Sequence, residues 1–202
     1  MLRATHNGFS LVELVVGLAI LALLITLGVP QYAAFMANAR IRATAEGVAT
    51  GLNLARAEAV KRNARVELVL TDDLPVEAMV NAVTPSTSGT NWMVREWVPA
   101  TNSYNFIEAK AGAEGSGRQE SAVLVTSSSL DASYDGRVTF TGLGSMATGQ
   151  AITFQITYPG AGNCHTALAP SPLRCLNINV TPGGQIRICD PQITVAKDTR
   201  AC

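Results

Sequence analysis

The sequence predicts an α+β fold in which one long N-terminal helix packs on an antiparallel β-sheet domain. Three observations carry that expectation. Residues 9–29 are an apolar run with a single charge. Apolar positions then recur at steps of three and four as far as Asn63, and from Arg65 onward the apolar period falls to two. The 202 residues are enough for one domain plus an anchor, and 15 basic against 15 acidic residues exert no global pull toward nucleic acid or anionic lipid. Aromatic residues make up 5% of the chain, so the core rests on Val, Ile, Leu and Ala.

The first element begins in GFSLVELVVGLAILALLITLG, residues 8–28. As a helix rising about 1.5 Å per residue, Phe9 to Val29 spans roughly 30 Å, the thickness of a hydrocarbon core. A basic flank, MLRATHN, precedes it as in a secretory signal peptide. No small-residue cleavage site follows the run, however, and PQYAAFMANARIRA continues the helical pattern. Glu13 is the anomaly: a carboxylate in hydrocarbon costs on the order of 2.5–3.5 kcal/mol by insertion scales, so it calls for a partner. Pro30 can kink a long helix without ending it.

Beyond Pro30, Ile41, Ala45, Val48, Leu52, Ala55 and Ala59 form one apolar stripe, while Arg40, Arg42, Glu46, Asn53, Arg56 and Lys61 take other faces. Glu58 and Arg62 stand at i,i+4 in the favourable orientation, and Lys61 and Arg62 suit the negative end of the helix dipole before Asn63 closes it. A helix from Phe9 to Asn63 would be about 80 Å long. Gly47 and Gly51, one turn apart, allow a sheet to approach closely. The basic residues Arg40, Arg42, Arg56, Lys61, Arg62 and Arg65 read as a solvated helix face rather than a nucleic-acid surface.

Strands are expected at 65–70, 92–98, 104–109, 122–127, 136–142, 151–158, 174–180 and 185–189. In WMVREWV, Trp92, Val94 and Glu96 share one face, and Met93, Arg95 and Trp97 the other. AGAEGSGRQE (111–120) and PGAGNCHTALAPSP (159–172) read as loops, and TPGG joins the last two strands in a hairpin. Cys164, Cys175, Cys189 and Cys202 cluster at the C-terminal end. Their even number behind a membrane segment implies disulfides in an oxidising compartment, and without a CxxC pair a zinc site is not indicated. Three pairings are open. Cys164 with Cys175 and Cys189 with Cys202 would make local clips, whereas a three-residue hairpin loop at 181–183 would set Cys175 opposite Cys189.

Glycine, phenylalanine, then glutamate five residues after the glycine, then an uncharged apolar run, resembles the class III signal of type IV prepilins and pseudopilins. The resemblance implies that a prepilin peptidase cuts after Gly8, that Phe9 is then N-methylated, and that the anchor stays in the mature protein. It also implies that Glu13 pairs with the amino terminus of a neighbouring subunit during assembly. The physics agrees, because opposite charges attract strongly in low dielectric and each alone is costly there. The expected segments are a leader at 1–8, a transmembrane helix at 9–29, its amphipathic continuation at 30–63, and a β-rich periplasmic domain at 64–202. Arg3 agrees with a leader on the cytoplasmic side of the inner membrane.

ARAEAVKRN (55–63), NWMV, VTFTGLG (138–144) and GGQIRIC narrow the resemblance to the GspH/FimT family of minor pilins and pseudopilins and extend it over essentially the whole chain. Where related sequences carry G-R-x-R, this chain has Gly184, Gln185, Ile186 and Arg187. The resemblance implies a pilin fold and a structural subunit that primes assembly of a type IV pilus or sits at its tip, with other major and minor pilins as partners. A type II secretion pseudopilin is the alternative. DNA binding through Arg174, Arg187, Lys197 and Arg200 is a further one, but Asp190 and Asp198 dilute those cations. Catalysis has no footing. His6 lies in the leader, which leaves His165; Asp72 and Asp73 read as a turn before Pro75; and the sequence holds no nucleophile elbow, phosphate loop, dinucleotide fingerprint or HExxH. No cofactor or metal is expected.

Overall fold

The computed structural model describes residues 10–112, 123–166, 168–195 and 197–202. The chain forms two compact units, residues 1–36 and 37–202, and the division falls within helix α1 (Leu11–Arg62). The helix runs through residue 30 without a break.

In the first unit, the Ser10 hydroxyl accepts the Glu13 N–H at 3.2 Å, and the Ser10 carbonyl accepts the Leu14 N–H. Ser10 is therefore the N-cap, and Ser-x-x-Glu is the spacing of a capping box. In the second unit, the helix ends in a Schellman motif. Asn63 takes φ +49°, its N–H bonds the Val60 carbonyl, and the Ala64 N–H reaches back to Ala59. Lys61 and Arg62 both bond Glu58, at 2.9 and 2.6 Å, and Arg62 also reaches Glu96 at 2.8 Å. Hydrogen bonds from Lys61, then Arg62, hold the Glu58 carboxyl below the usual carboxylate range.

Nine strands follow in the described residues: β1 Val66–Thr71, β2 Ser88–Gly89, β3 Asn91–Val98, β4 Ser103–Lys110, β5 Leu124–Ser129, β6 Arg137–Phe140, β7 Ile152–Thr157, β8 Leu176–Val180 and β9 Ile186–Cys189. They divide into two antiparallel sheets rather than one layer, ordered β4-β3-β1-β6 and β2-β5-β7-β8-β9. The stripe of Ile41, Ala45, Val48, Leu52, Ala55 and Ala59 is fully buried, and it joins the inner faces of both sheets in one core with Leu68, Val94, Phe140, Phe154 and Ile178. The expected α+β architecture holds, with the strands shared between two sheets.

Every residue of β1 is buried, because its sheet is covered on both sides. The outer cover is the chain between β1 and β2, with a 3₁₀ turn at Glu77–Met79, which seals Val69 and Met93 under Val80 and Val83. Next to that cluster lies a buried ion pair. The Arg95 Nε donates to Glu67 Oε1 at 2.8 Å, its Nη1 donates to the Val80 carbonyl, and its guanidinium lies 3.7 Å from the Tyr104 ring centroid. On β4 a bulge sets Val94 opposite Glu108 but Arg95 opposite Phe106, so that Ile107 is the extra residue and turns toward the main core. The Gly-rich stretch expected at 111–120 lies outside the described residues after Gly112.

Candidate functional site

The first unit presents one feature. From Leu11 to Ile25 every large apolar side chain that is described is more than half exposed, and none of this stretch is buried. An apolar surface on all sides of a helix needs lipid or other protein around it. The helix is long and apolar enough to cross a membrane. Glu13 stands in its first turn as the only charged residue between Leu11 and Ala39. Its placement near the N-terminal end of the dipole is favourable, and it shares that turn with the Ser10 cap. The sequence signal for this cap is the Ser-x-x-Glu spacing of Ser10 and Glu13. Gly8 and Phe9, the expected processing residues, lie outside the described residues.

The second unit shows where the domain motifs meet. Gly51 is buried, and a Cβ there would stand 2.9 Å from the Trp92 ring, so the glycine lets NWMV pack directly on α1. Arg56 donates from Nε to the Gly144 carbonyl at 3.0 Å. Gly144 closes the turn after β6, and the same carbonyl fills the space a Cβ on Gly184 would need. Gly144 and Gly184 both take positive φ, +76° and +80°, so glycine is required on conformational grounds as well. The Met146 N–H bonds the Pro182 carbonyl at 2.9 Å. Helix end, VTFTGLG and GGQIR are thus three sides of one joint.

The cysteines form two bridges, Cys164–Cys175 with Cα atoms 5.5 Å apart and Cys189–Cys202 with Cα atoms 5.1 Å apart. The β8–β9 register pairs Asn177 with Cys189, so Cys175 does not stand opposite it; the hairpin loop is longer than three residues. Asn38 ties the first bridge's loop to α1, donating to the Pro172 carbonyl and accepting the Arg174 N–H, both at 2.8 Å. The Arg40 guanidinium donates to the Tyr158 hydroxyl at 2.8 Å.

Three of the four expected cations, Arg174, Arg187 and Arg200, are engaged within the chain. Arg174 pairs with Asp190 at 3.1 Å and Arg200 with Asp198 at 2.8 Å. The Arg187 Nη2 donates to the carbonyls of Thr199 and Ala201 and so fastens the tail. Lys197 sits at a turn with φ +73°. His165 uses its ring nitrogen within its own loop, against Ser171. Among the described residues, no cluster of His, Cys, Asp and Glu is placed to hold a metal.

The family described as Type II transport protein GspH matches residues 44–184, most of the chain. The chain belongs to the GspH family. The prokaryotic N-terminal methylation motif matches residues 3–29, over the apolar helix. No curated protein sequence matches the chain. Among solved structures, the type IV minor pilin FimU of Pseudomonas aeruginosa is similar at 16% identity and a TM-score of 0.50, over 80% of this chain and 99% of FimU. The minor pseudopilin EpsH from the Type 2 Secretion System of Vibrio cholerae aligns at 11% identity and a TM-score of 0.47, over 76% of this chain and 99% of EpsH. The FimU likeness is one of fold: a long N-terminal helix on antiparallel sheets. This GspH-family chain is a structural pilin or pseudopilin by family, of a kind that assembles with other pilins.

Proposed function

We propose that this chain is a minor type IV pilin, a structural subunit that helps to prime assembly of the filament or sits at its tip. It is a substrate of prepilin peptidase, cut after Gly8 and N-methylated on Phe9. The inner membrane holds the apolar helix, and the β-rich domain lies in the periplasm. Glu13 then meets the ammonium of a neighbouring subunit as the helices pack side by side. The observation that carries this reading is the uncovered apolar helix with one carboxylate in its first turn. Two charges that neutralise each other in low dielectric reward one axial register, because either alone is penalised there.

The experiment has two readings. Mass spectrometry of the mature polypeptide is expected to find it beginning at methylated Phe9; any other start refutes the proposal. Glu13→Ala is expected to be processed and anchored normally but to lose at least about tenfold in filament incorporation, the equivalent of about 1.4 kcal/mol.

A type II secretion pseudopilin is the second reading, and the GspH family match favours it. Deleting the gene separates the two: loss of surface filaments supports the pilus, and loss of protein export supports the pseudopilus. A nucleic-acid role draws no support from Arg174, Arg187 and Arg200, whose guanidiniums are taken by acids or carbonyls of the chain itself.

A further inference from the structure

The outer face of the first sheet is covered along only part of its length. The cover between β1 and β2 reaches Val80, whose carbonyl accepts from Arg95, and Asn81, whose Oδ1 accepts the Tyr104 N–H at 2.7 Å. The same Tyr104 helps to line a cavity of about 200 Å³, together with Arg65, Glu67, Trp97 and Thr139. The register puts these side chains on one face. The Trp97 N–H bonds the Arg65 carbonyl, Trp97 stands opposite Tyr104, and Glu67 stands between Arg95 and Thr139. Glu67, Trp97, Tyr104 and Thr139 come from β1, β3, β4 and β6, so each strand of this sheet contributes to the site.

Three kinds of chemistry meet there. The first is an acceptor: the Glu67 side chain is 8% exposed. Its Oε1 accepts from Arg95 at 2.8 Å, while its Oε2 has a long contact with the Thr139 hydroxyl, 3.4 Å. A carboxylate takes about four hydrogen bonds, so Oε2 keeps acceptor capacity. The second is a donor. Arg65 is exposed, and it takes no part in the ion pairs of the described residues, whose cations are Lys61, Arg62, Arg95, Arg137, Arg174 and Arg200. The third is an aromatic wall. Trp97 and Tyr104 are half-buried, with ring centroids 5.0 Å apart and planes tilted by 60°. The Arg95 guanidinium lies 3.7 Å from the Tyr104 centroid and holds that ring in place.

These groups suit a neutral ring that carries hydroxyls. An anion drawn to Arg65 meets the carboxylate of Glu67, and a cation meets Arg65 and an acid that Arg95 already neutralises. A purely apolar guest would leave Glu67 Oε2 shut away from water without a new partner. A sugar ring has C–H faces that lie on an indole, and hydroxyls around its edge that both donate and accept. The cavity is smaller than the roughly 300–1,000 Å³ of drug-sized ligand sites, which limits the guest to one ring. We propose that this cavity binds a single neutral hexose ring, free or at the end of a glycan. A C–H face lies on Trp97, one hydroxyl donates to Glu67 Oε2, and others accept from Arg65 and Thr139. The proposal goes beyond the pilin reading and needs only the globular unit, with one site per subunit.

The test uses the full chain in phosphatidylcholine nanodiscs, which carry no sugar, with empty nanodiscs as the blank. The probes are the methyl glycosides of glucose, galactose and mannose at millimolar concentration, read by saturation-transfer NMR. Transfer to at least one of them is expected, strongest at the protons of one ring face. Trp97→Ala is expected to weaken binding at least about tenfold, and Trp97→Phe, which keeps a ring, by less than about threefold. Arg65→Ala and Thr139→Val each remove one hydrogen-bonding group and are expected to weaken binding about fivefold at an unchanged melting temperature. Raising the salt from about 0.05 to 0.5 M is expected to change the affinity less than about twofold, because the guest is uncharged. A disaccharide ending in the preferred ring separates the two sources: binding as tight as the methyl glycoside supports a glycan end, and binding confined to the monosaccharide supports the free sugar. Absence of transfer to all three glycosides, transfer that persists unchanged in both Arg65→Ala and Thr139→Val, or loss of binding in high salt each overturns the proposal. None of these results bears on processing at Gly8, so the pilin reading stands or falls separately.

Discussion

The Glu67–Arg95 pair shows how much a single residue's neighbours decide. Both side chains are below 10% exposed, and the Arg95 guanidinium is committed to a carboxylate, a carbonyl and a ring. Removing one charge strands the other, so Glu67→Gln is expected to destabilise the chain by about 3–5 kcal/mol in urea unfolding. Replacing both together, Glu67→Leu with Arg95→Met, is expected to cost far less, because no unpaired charge remains. The two helix glycines make a second contrast. At Gly47 an added Cβ meets the flexible end of Lys110 at 3.1 Å, whereas at Gly51 it meets the packed Trp92 ring at 2.9 Å. Gly47→Ala is therefore expected to raise stability by up to about 1 kcal/mol through helix propensity. Gly51→Ala is expected to lower it despite the same propensity gain, and thermal unfolding of the pair separates the signs.

At the scale of elements, the C-terminal tail is stapled at several points. Beside the Cys189–Cys202 bridge, Asp190 donates its N–H to the Arg200 carbonyl at 2.7 Å and Arg187 holds Thr199 and Ala201. The Asp198 carboxyl accepts from the Arg200 side chain and backbone, which hold it down to about 2. A carboxylate depressed on folding supports the folded tail above its unfolded value and loses that support as pH falls through the folded one. The tail is thus expected to loosen between about pH 4 and pH 2, seen as faster exchange of the Arg200 amide. In Arg200→Ala the Asp198 titration is expected to return toward the ordinary carboxylate range. The elements were legible in the sequence to unequal degrees. The α1 stripe and the alternation of Ile152, Phe154 and Ile156 were plain because half of each element faces one core, and periodicity records that. Ser88–Gly89 is too short to have a period. Ile107 breaks the period of β4, and the outer cover over Val69 and Met93 leaves no local signature, because it is made by residues distant in the chain. Gly8, Phe9 and Glu13 stood out through a motif, whereas the joint of Arg56, Gly144 and Gly184 required the fold to bring three motifs together.

For the globular unit as a whole, that joint decides whether two sheets behave as one body. Arg56 comes from α1, Gly144 from the turn that leaves the first sheet, and Gly184 from the hairpin that closes the second. The shared core already couples the sheets through apolar contact, but such contact is non-directional and tolerates sliding. A charged donor aimed at one carbonyl, wedged by two glycines, fixes the register of all three. Arg56→Met keeps the aliphatic stem and removes the guanidinium, so it is expected to cost about 1.5–3 kcal/mol, the range for a hydrogen bond to a charged group. Gly184→Ala is expected to cost more, since it adds a steric clash with the Gly144 carbonyl to the strain of a positive φ. Both tryptophans lie on β3, so their fluorescence reports the first sheet, and amide exchange in β8 and β9 reports the second. If the joint makes one cooperative body, both probes shift to the same lower denaturant midpoint in Arg56→Met. Loss of protection in β8 and β9 at an unchanged fluorescence midpoint would instead show a local latch on the second sheet, with the shared core alone holding the sheets together.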